Sequence, residues 1–448
     1  MVLPLCLEAI VLSKMKSSLN KINFSLYFAL LLLGLCPTVY TTVRIFFLGQ
    51  LPSEWAYSIA GQLGWVNLLY EIMNEAILLP LFYFMGKVVS DRESFTNRVK
   101  SGLLVTGCIY TAFSLVIILA AEPLLLWMAA DSSILSASAT YIRIESVANI
   151  FGMLSSFTLI TLVTLNRERY IYILTAARLV LSLMADTFLV STLPFSLQLG
   201  VNGIGWSNIL VNLLLLLVSL VLLSREGIHV FSRTRMSFSW LKELTKVGGI
   251  SGLESFVRNI AFMLMIVRMV NVVGEQGVYW VANNFIWGWL LLPITQLGEL
   301  IKQEISTDRT ALSTQTRGYF GITGMICVLW LVSIPLWKPF MTNVLGYTDV
   351  DLLFQLVLLQ LVFYVLYAFQ NVFDATFYAL GKTSYMLFES VISNTVYYGG
   401  AFLLYRAGIW TPTLTGIALM FGFGMAFDSV ISWAAYRYLL REQNIQIK

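Results

Sequence analysis

Residues 24 to 51 read FSLYFALLLLGLCPTVYTTVRIFFLGQL. At 1.5 Å of rise per residue this run is long enough to cross roughly 30 Å of hydrocarbon, so it reads as the first of a set of membrane spans. Arg44, near its end, sits where water should not reach. A charge inside a span costs several kcal/mol, about 2.5–3.5 by insertion scales, unless a partner or a wet cavity receives it. Other segments must therefore supply a counter-charge.

The whole chain carries the same signature. Its 448 residues are 58% hydrophobic and 12% charged with a mean hydropathy of +0.79, against about 25% charged residues in soluble domains. Twelve runs are long enough to span: about 24–48, 57–86, 101–127, 134–164, 171–193, 204–224, 245–272, 277–302, 318–339, 351–379, 384–405 and 412–436. Of the 28 basic residues, twenty-one fall on the loops and termini of the N-terminal side, two (Lys338 and Arg406) on the other, and five (Arg44, Arg143, Arg178, Arg258, Arg268) inside spans. Basic residues collect on the cytoplasmic side, so both termini are expected there, with the chain multi-pass in a plasma (inner) membrane. The net charge of +4 is then a topology signal, and nucleic acid is not an expected partner.

The four cysteines, Cys6, Cys36, Cys108 and Cys327, lack CxxC spacing and read as small core residues. The first twelve residues are apolar but too short to span and have no basic flank, so they read as an interfacial segment and not as a cleaved leader.

The longest polar connection, Arg225 to Lys246, carries the only histidine, His229, and halves the chain. The expected domains are an N-lobe (1–224), a cytoplasmic linker (225–244) and a C-lobe (245–448). An offset of 222 lays AYSIAGQLGW (56–65) on VYWVANNFIW (278–287); offsets of 215 and 213 pair LNRERY (165–170) with LGKTSY (380–385) and VNG (201–203) with LTG (414–416). These matches arise either from chance likeness of apolar segments or from duplication. Duplicated halves of six spans share orientation, so the expected fold is all-α and polytopic: twelve transmembrane helices in two six-helix bundles related by a pseudo-two-fold axis along the membrane normal. A cleft between such lobes is the geometry of a secondary transporter.

No GxxxxGK[ST], HExxH or GxSxG pattern occurs, so no enzymatic activity is expected. Carboxylates inside spans are the remaining ionisable chemistry: Glu71, Glu75, Glu145, Asp186, Glu254, Glu299, Asp374, Glu389 and Asp428. Glu71 and Glu75 share a helix face. They either hold a proton or a cation between them or neutralise a buried arginine. Glu254 and Arg258, also four apart, form an intrahelical ion pair, whereas Arg143 and Glu145 point to different faces and need partners elsewhere, with the central cleft one place for them. Gln360, Gln370 and Asp374 form a polar stripe on span ten; Asp374, near the cytoplasmic end, reads as a solvated carboxylate. Trp287 lies deep enough to line a pocket, although packing also explains it.

The order of these features resembles the MATE (multidrug and toxic compound extrusion) family of the MOP superfamily. RIFFLGQL (44–51) looks like the family's first-span ending, which usually begins with an aspartate. LNRERY with ARLVLSLMADTFLV (177–190) looks like its span-four-to-five segment, and LGVNGIGWSNIL (199–210) like its span-six start. The resemblance implies export of small organic solutes by alternating access, coupled to H+ or Na+ antiport and with no other cofactor, by a chain working as a monomer in the lipid bilayer. In the DinF-like branch a span-one Asp, a span-five Asn and Asp and a span-six Thr are implicated in coupling. Asp186 matches, Ser182 stands at the Asn, Asn208 at the Thr and Arg44 at the first Asp. That last departure puts a permanent cation in an ion-binding slot, an atypical N-lobe site. In the NorM-like branch a span-seven Glu and a span-ten Asp matter; Glu254 is near the first, with a possible Na+ beside it, and Gln370 takes the second, leaving Asp374 one turn later. Coupling candidates are thus Asp186, Glu71, Glu75 and Glu254. Cavity candidates are Arg44, Ser182, Asn208, Arg143, Arg258, Trp287, Gln370 and Asp374. An alternative use of five intramembrane arginines is a cationic cavity for anionic substrates, lipid-linked or organic acid, in a flippase or transporter.

Overall fold

The computed structural model describes residues 15, 17–51, 55–165, 168–232, 236–443 and 445; the N-terminal segment and Cys6 lie outside them. Twelve helical stretches follow the twelve apolar runs: α1 (Phe24–Gly49), α2 (Ala56–Gly86), α3 (Arg92–Trp127), α4 (Leu135–Thr164), α5 (Glu168–Leu189), α6 (Val201–Arg225), α7 (Leu241–Val272), α8 (Gln276–Phe285 continuing to Leu292–Thr307), α9 (Thr316–Asn343), α10 (Val350–Ala379), α11 (Thr383–Ile392 continuing to Gly399–Arg406) and α12 (Leu414–Glu442). No strand occurs among the described residues. Helix is the form that satisfies every backbone group inside one segment, as lipid requires. Among the described residues, nine of the twelve are long and apolar enough to cross a membrane by length and composition alone, and α2, α8 and α11 are not among them. Those three carry Glu71 and Glu75, or charged residues together with π turns at Ile286–Leu290 and Ser393–Tyr398.

Apolar side chains fill the core and also cover much of the outer surface. Leu119 is 80% exposed and Val332 71% exposed, while Gln62, Thr158, Ser219 and Thr323 are buried. The apolar rim faces lipid tails and the small polar residues sit between helices, where lipid-embedded bundles place them. The cysteines are only partly core residues: Cys327 is buried, but Cys36 is intermediate and Cys108 exposed, a placement that costs a small apolar side chain nothing against lipid.

The chain divides into two compact units, one made of Val39–Trp280 with Leu345–Tyr347, the other of the remaining described residues. These do not follow the halves expected at the linker. In the first unit α4 packs closely on α6, α3 on α4, and α7 along α2. The α2–α7 contact is close because a Cβ on Gly252 would come within 2.7 Å of the Ala76 Cβ, and it is held by Gln62 Nε2 donating to Asn271 Oδ1 at 2.8 Å. Span seven is therefore gathered with the spans before it. The polar connection is packed as well. Trp240 Nε1 donates to Ser101 Oγ at 3.0 Å, Lys100 Nζ donates to the Ser232 carbonyl at 2.5 Å, and Ile228 is buried. In the second unit α12 and α8 both pack on α10.

Candidate functional site

Three polar clusters lie inside these helices, and each takes its side chains from elements that the sequence separates widely. In the first, Arg44 on α1 donates from Nε to Asp186 Oδ2 at 2.6 Å and from Nη2 to Asp186 Oδ1 at 3.3 Å and Asn208 Oδ1 at 2.7 Å. The Asn208 amide then donates to both oxygens of Glu145 at 2.8 and 3.1 Å. Asp186 and Glu145 are buried, and Ser182 lies buried one turn before Asp186. The Tyr40 ring, one turn earlier on α1, covers the guanidinium with its centroid 5.1 Å from Cζ, a cation–π contact. Gly205 lets α6 approach α4 at this point: a Cβ there would meet Ile144 Cγ2 at 2.7 Å. One guanidinium thus faces two carboxyl groups through a bidentate pair and an amide relay.

In the second cluster Arg258 on α7 receives three carboxylates, Glu75 at 2.7 Å, Glu71 at 3.2 Å and Glu254 at 3.4 Å. These groups are half-wet, with side chains 35% exposed for Arg258 and 46% for Glu71. The formal charge is one positive against three negative. Glu71 and Glu75 therefore do neutralise an arginine, as one of their two readings held, yet an excess of carboxylate remains that a cation or protons would balance.

No described lysine or arginine forms an ion pair in the third cluster. Gln370 Nε2 on α10 donates to Glu389 Oε1 at 2.8 Å and Asp428 Oδ2 at 2.8 Å and lies 3.3 Å from Asp374 Oδ2, while its Oε1 accepts from Ser429 Oγ at 2.7 Å. Ser432 Oγ donates to Asp374 Oδ1 at 2.7 Å and Ser393 Oγ to Asp428 Oδ1 at 2.5 Å. Ser393 opens the π turn of α11, an irregularity that re-aims side chains and recurs at functional sites.

Several candidates stand differently from expectation. Arg143 is not in a central site: it pairs with Glu122 at 3.0 Å and donates to the Ile118 carbonyl, on an exposed face, because one turn of α3 offers both partners. Glu145 points the other way, as its spacing predicts. Asp374 is not a freely solvated carboxylate but a member of a buried network. Trp287 packs edge-on against Tyr364 and Tyr367, while an apolar cavity of about 400 Å³ opens elsewhere, between α11 and α12, lined by Tyr397, Leu404, Trp410 and Phe427 among others. Arg44, Arg143 and Arg258 each face carboxylates, which leaves a cationic cavity without those three. No group of ligands suited to a metal ion is found among the described residues. Sequence reasoning singled out Gln370 and Asp374 but not their convergence with Glu389 and Asp428; the signal was the presence of an in-span carboxylate on each of three consecutive helices.

No protein-family model matches the sequence, and no curated relative does. Solved structures do. The chain is similar, at 17% identity and a TM-score of 0.75, to an inward-facing multidrug resistance MATE family transporter of the MOP superfamily, covering 96% of this chain and 98% of that one. A variant of the Vibrio cholerae MATE transporter VcmN matches at 16% identity and a TM-score of 0.66, with 96% and 98% covered. An outward-facing MATE family transporter matches at 16% and 0.65, with 96% of each chain covered. From end to end, this chain has the fold of the MATE transporters of the MOP superfamily.

Proposed function

We propose that the protein is a secondary active transporter that exports small organic solutes by alternating access, driven by H+ or Na+ antiport. The observation that carries this reading is the likeness of fold over nearly the whole chain to transporters solved in both inward- and outward-facing forms. Carboxylates held inside spans support it further, since ionisable groups at that depth are costly to keep and mark ion and substrate paths. The excess negative charge around Arg258 favours cationic over anionic solutes. In this reading the chain acts as a monomer in a plasma (inner) membrane, with both termini in the cytoplasm, and carries out no catalysis.

The test is flux in proteoliposomes loaded with a cationic dye. Export that accelerates under an imposed pH or sodium gradient is expected. Export indifferent to both gradients overturns coupled antiport, and export of organic anions in place of cations overturns the substrate class.

A further inference from the structure

Gln370 collects carboxyl groups from three helices, and an inventory of their oxygens shows what is missing. Asp374 Oδ1 accepts from Ser432, and its Oδ2 lies 3.3 Å from Gln370 Nε2, whose two N–H groups have nearer acceptors in Glu389 and Asp428 at 2.8 Å each. Both oxygens of Asp428 accept hydrogen bonds, from Ser393 and Gln370. Glu389 Oε1 accepts from Gln370, but Glu389 Oε2 is buried and accepts from no group. Glu389 as a whole is 4% exposed, so an empty acceptor there is an expensive arrangement for an ionised carboxylate. No ion pair with a described lysine or arginine reaches any of the three. Three ionised carboxylates around one neutral amide cannot coexist at such separations without a compensating positive charge.

We propose that Asp374, Glu389 and Asp428 form a proton-binding site among α10, α11 and α12, with Glu389 Oε2 as the atom that takes up and releases the proton. The centre of the cluster is filled by the N–H groups of Gln370. A metal ion needs oxygen lone pairs aimed at it, and at this point it would meet the positive end of an amide. A proton needs only the one unpaired oxygen. Uptake forms the Glu389 Oε2–H bond with a proton drawn from water; release returns it and restores the carboxylate. Asp374 and Asp428 are half-buried and link the interior carboxyl to the surroundings. The charged and titratable neighbours are few. Lys302 on α8 acts on Asp374 through space but is itself bound to Glu299 at 2.7 Å. Tyr398 on α11 faces Asp428. Assigning this proton to the export cycle rests on the transporter reading above; the binding itself does not.

Infrared difference spectroscopy on the full-length purified protein tests the site without any transport. Acidification should raise a protonated-carboxyl C=O band in the wild type. Glu389→Gln should lose one resolvable component of that band, and Asp428→Asn should move that component in pH. A folded, monodisperse Glu389→Gln with an unchanged band overturns the proposal; should that variant fail to fold, Glu389→Met is read the same way, and Glu389→Asp, which keeps the acid but moves it, should shift the band's frequency. Sodium added at fixed acid pH should leave the band in place, and its removal by sodium overturns the proton in favour of a metal ion. A band that behaves as expected in a protein whose flux ignores pH gradients keeps the proton site and sinks only the antiport reading.

Discussion

Arg44, Asp186, Asn208 and Glu145 bring two carboxyl groups to a guanidinium; Gln370, Asp374, Glu389 and Asp428 bring three to an amide. The first cluster uses α1, α4, α5 and α6, the second α10, α11 and α12, so an amide at the centre of the second stands where the first has a charge. A guanidinium does not deprotonate, so Arg44 gives Asp186 a permanent counter-ion and leaves only Glu145, reached through Asn208, in need of a proton or a cation. The carboxyl groups around Gln370 have no such counter-ion among the described residues, and their charge must be balanced by something that comes and goes. One cluster is anchored by a fixed cation, and the other has none. The fixed cation falls in the slot where the family resemblance places an ion-binding aspartate.

Removing the fixed cation should have the largest effect. Arg44→Ala leaves Asp186 and Glu145 buried without their cation, and removing one partner of a buried pair costs about 3–5 kcal/mol. A sharply lowered unfolding temperature in detergent is expected, partly restored by adding Asp186→Asn. Arg44→Asp asks a sharper question, because it returns a carboxylate to the slot. Flux that becomes newly dependent on protons or sodium is expected, and unchanged ion dependence rules out a tethered-cation role for Arg44.

The Gln370 cluster should respond less in stability and more in pH behaviour. Gln370→Leu removes the amide set among three carboxyl groups and leaves Ser429 without its acceptor, at a cost of about 1–3 kcal/mol. The expected signature is a stability that depends more steeply on pH than in the wild type, measured as unfolding temperature across a pH series. A parallel downward shift at every pH would show that the amide only fills space.

These clusters were unequally legible in the sequence. Span length is dictated by hydrocarbon thickness, so α1, expected at 24–48, is Phe24–Gly49, and α4, expected at 134–164, is Leu135–Thr164. α3 starts earlier than expected because Asp91 caps a polar first turn that hydropathy does not register. The convergence of Arg44, Asp186 and Asn208 was reachable because the family pattern names one slot on each helix. That of Glu389 and Asp428 with Gln370 was not, since the periodicity of one helix gives a face but never the partner helix that meets it. For the same reason Arg258 was matched with Glu254, its neighbour in sequence, while its shorter bonds run to Glu75 and Glu71 on α2.

Arg258 lies between the two extremes, with a permanent cation outnumbered by carboxylates. Its side chain is 35% exposed, and solvent weakens such pairs, so Arg258→Gln should cost only about 1 kcal/mol. Its effect should appear in binding instead. Removing the positive charge leaves Glu71, Glu75 and Glu254 uncompensated, so cationic dyes should bind more tightly and Glu75→Gln should reverse the gain. Weaker dye binding in Arg258→Gln would mean that this cluster does not face the substrate.

The smallest expected effect calibrates the pH comparison. Asp91, Asp131 and Asp308 lie in loops, where hydrogen bonds from Ser94, Ser133 and Thr310 hold their carboxyls below the usual range. A carboxylate held low in the folded state adds stability above the ordinary aspartate range, and that stability is lost only as pH falls through the lowered folded value. These loops therefore contribute no pH dependence near neutrality. Asp91 Oδ1 accepts from the backbone N–H groups of Glu93 and Ser94 at the start of α3, so hydrogen exchange across residues 92–96 should quicken only in acid. Asp91→Asn should flatten that acid response and leave behaviour near neutral pH untouched. A neutral-range transition that disappears in Asp91→Asn would move its origin out of the membrane and away from the Gln370 cluster.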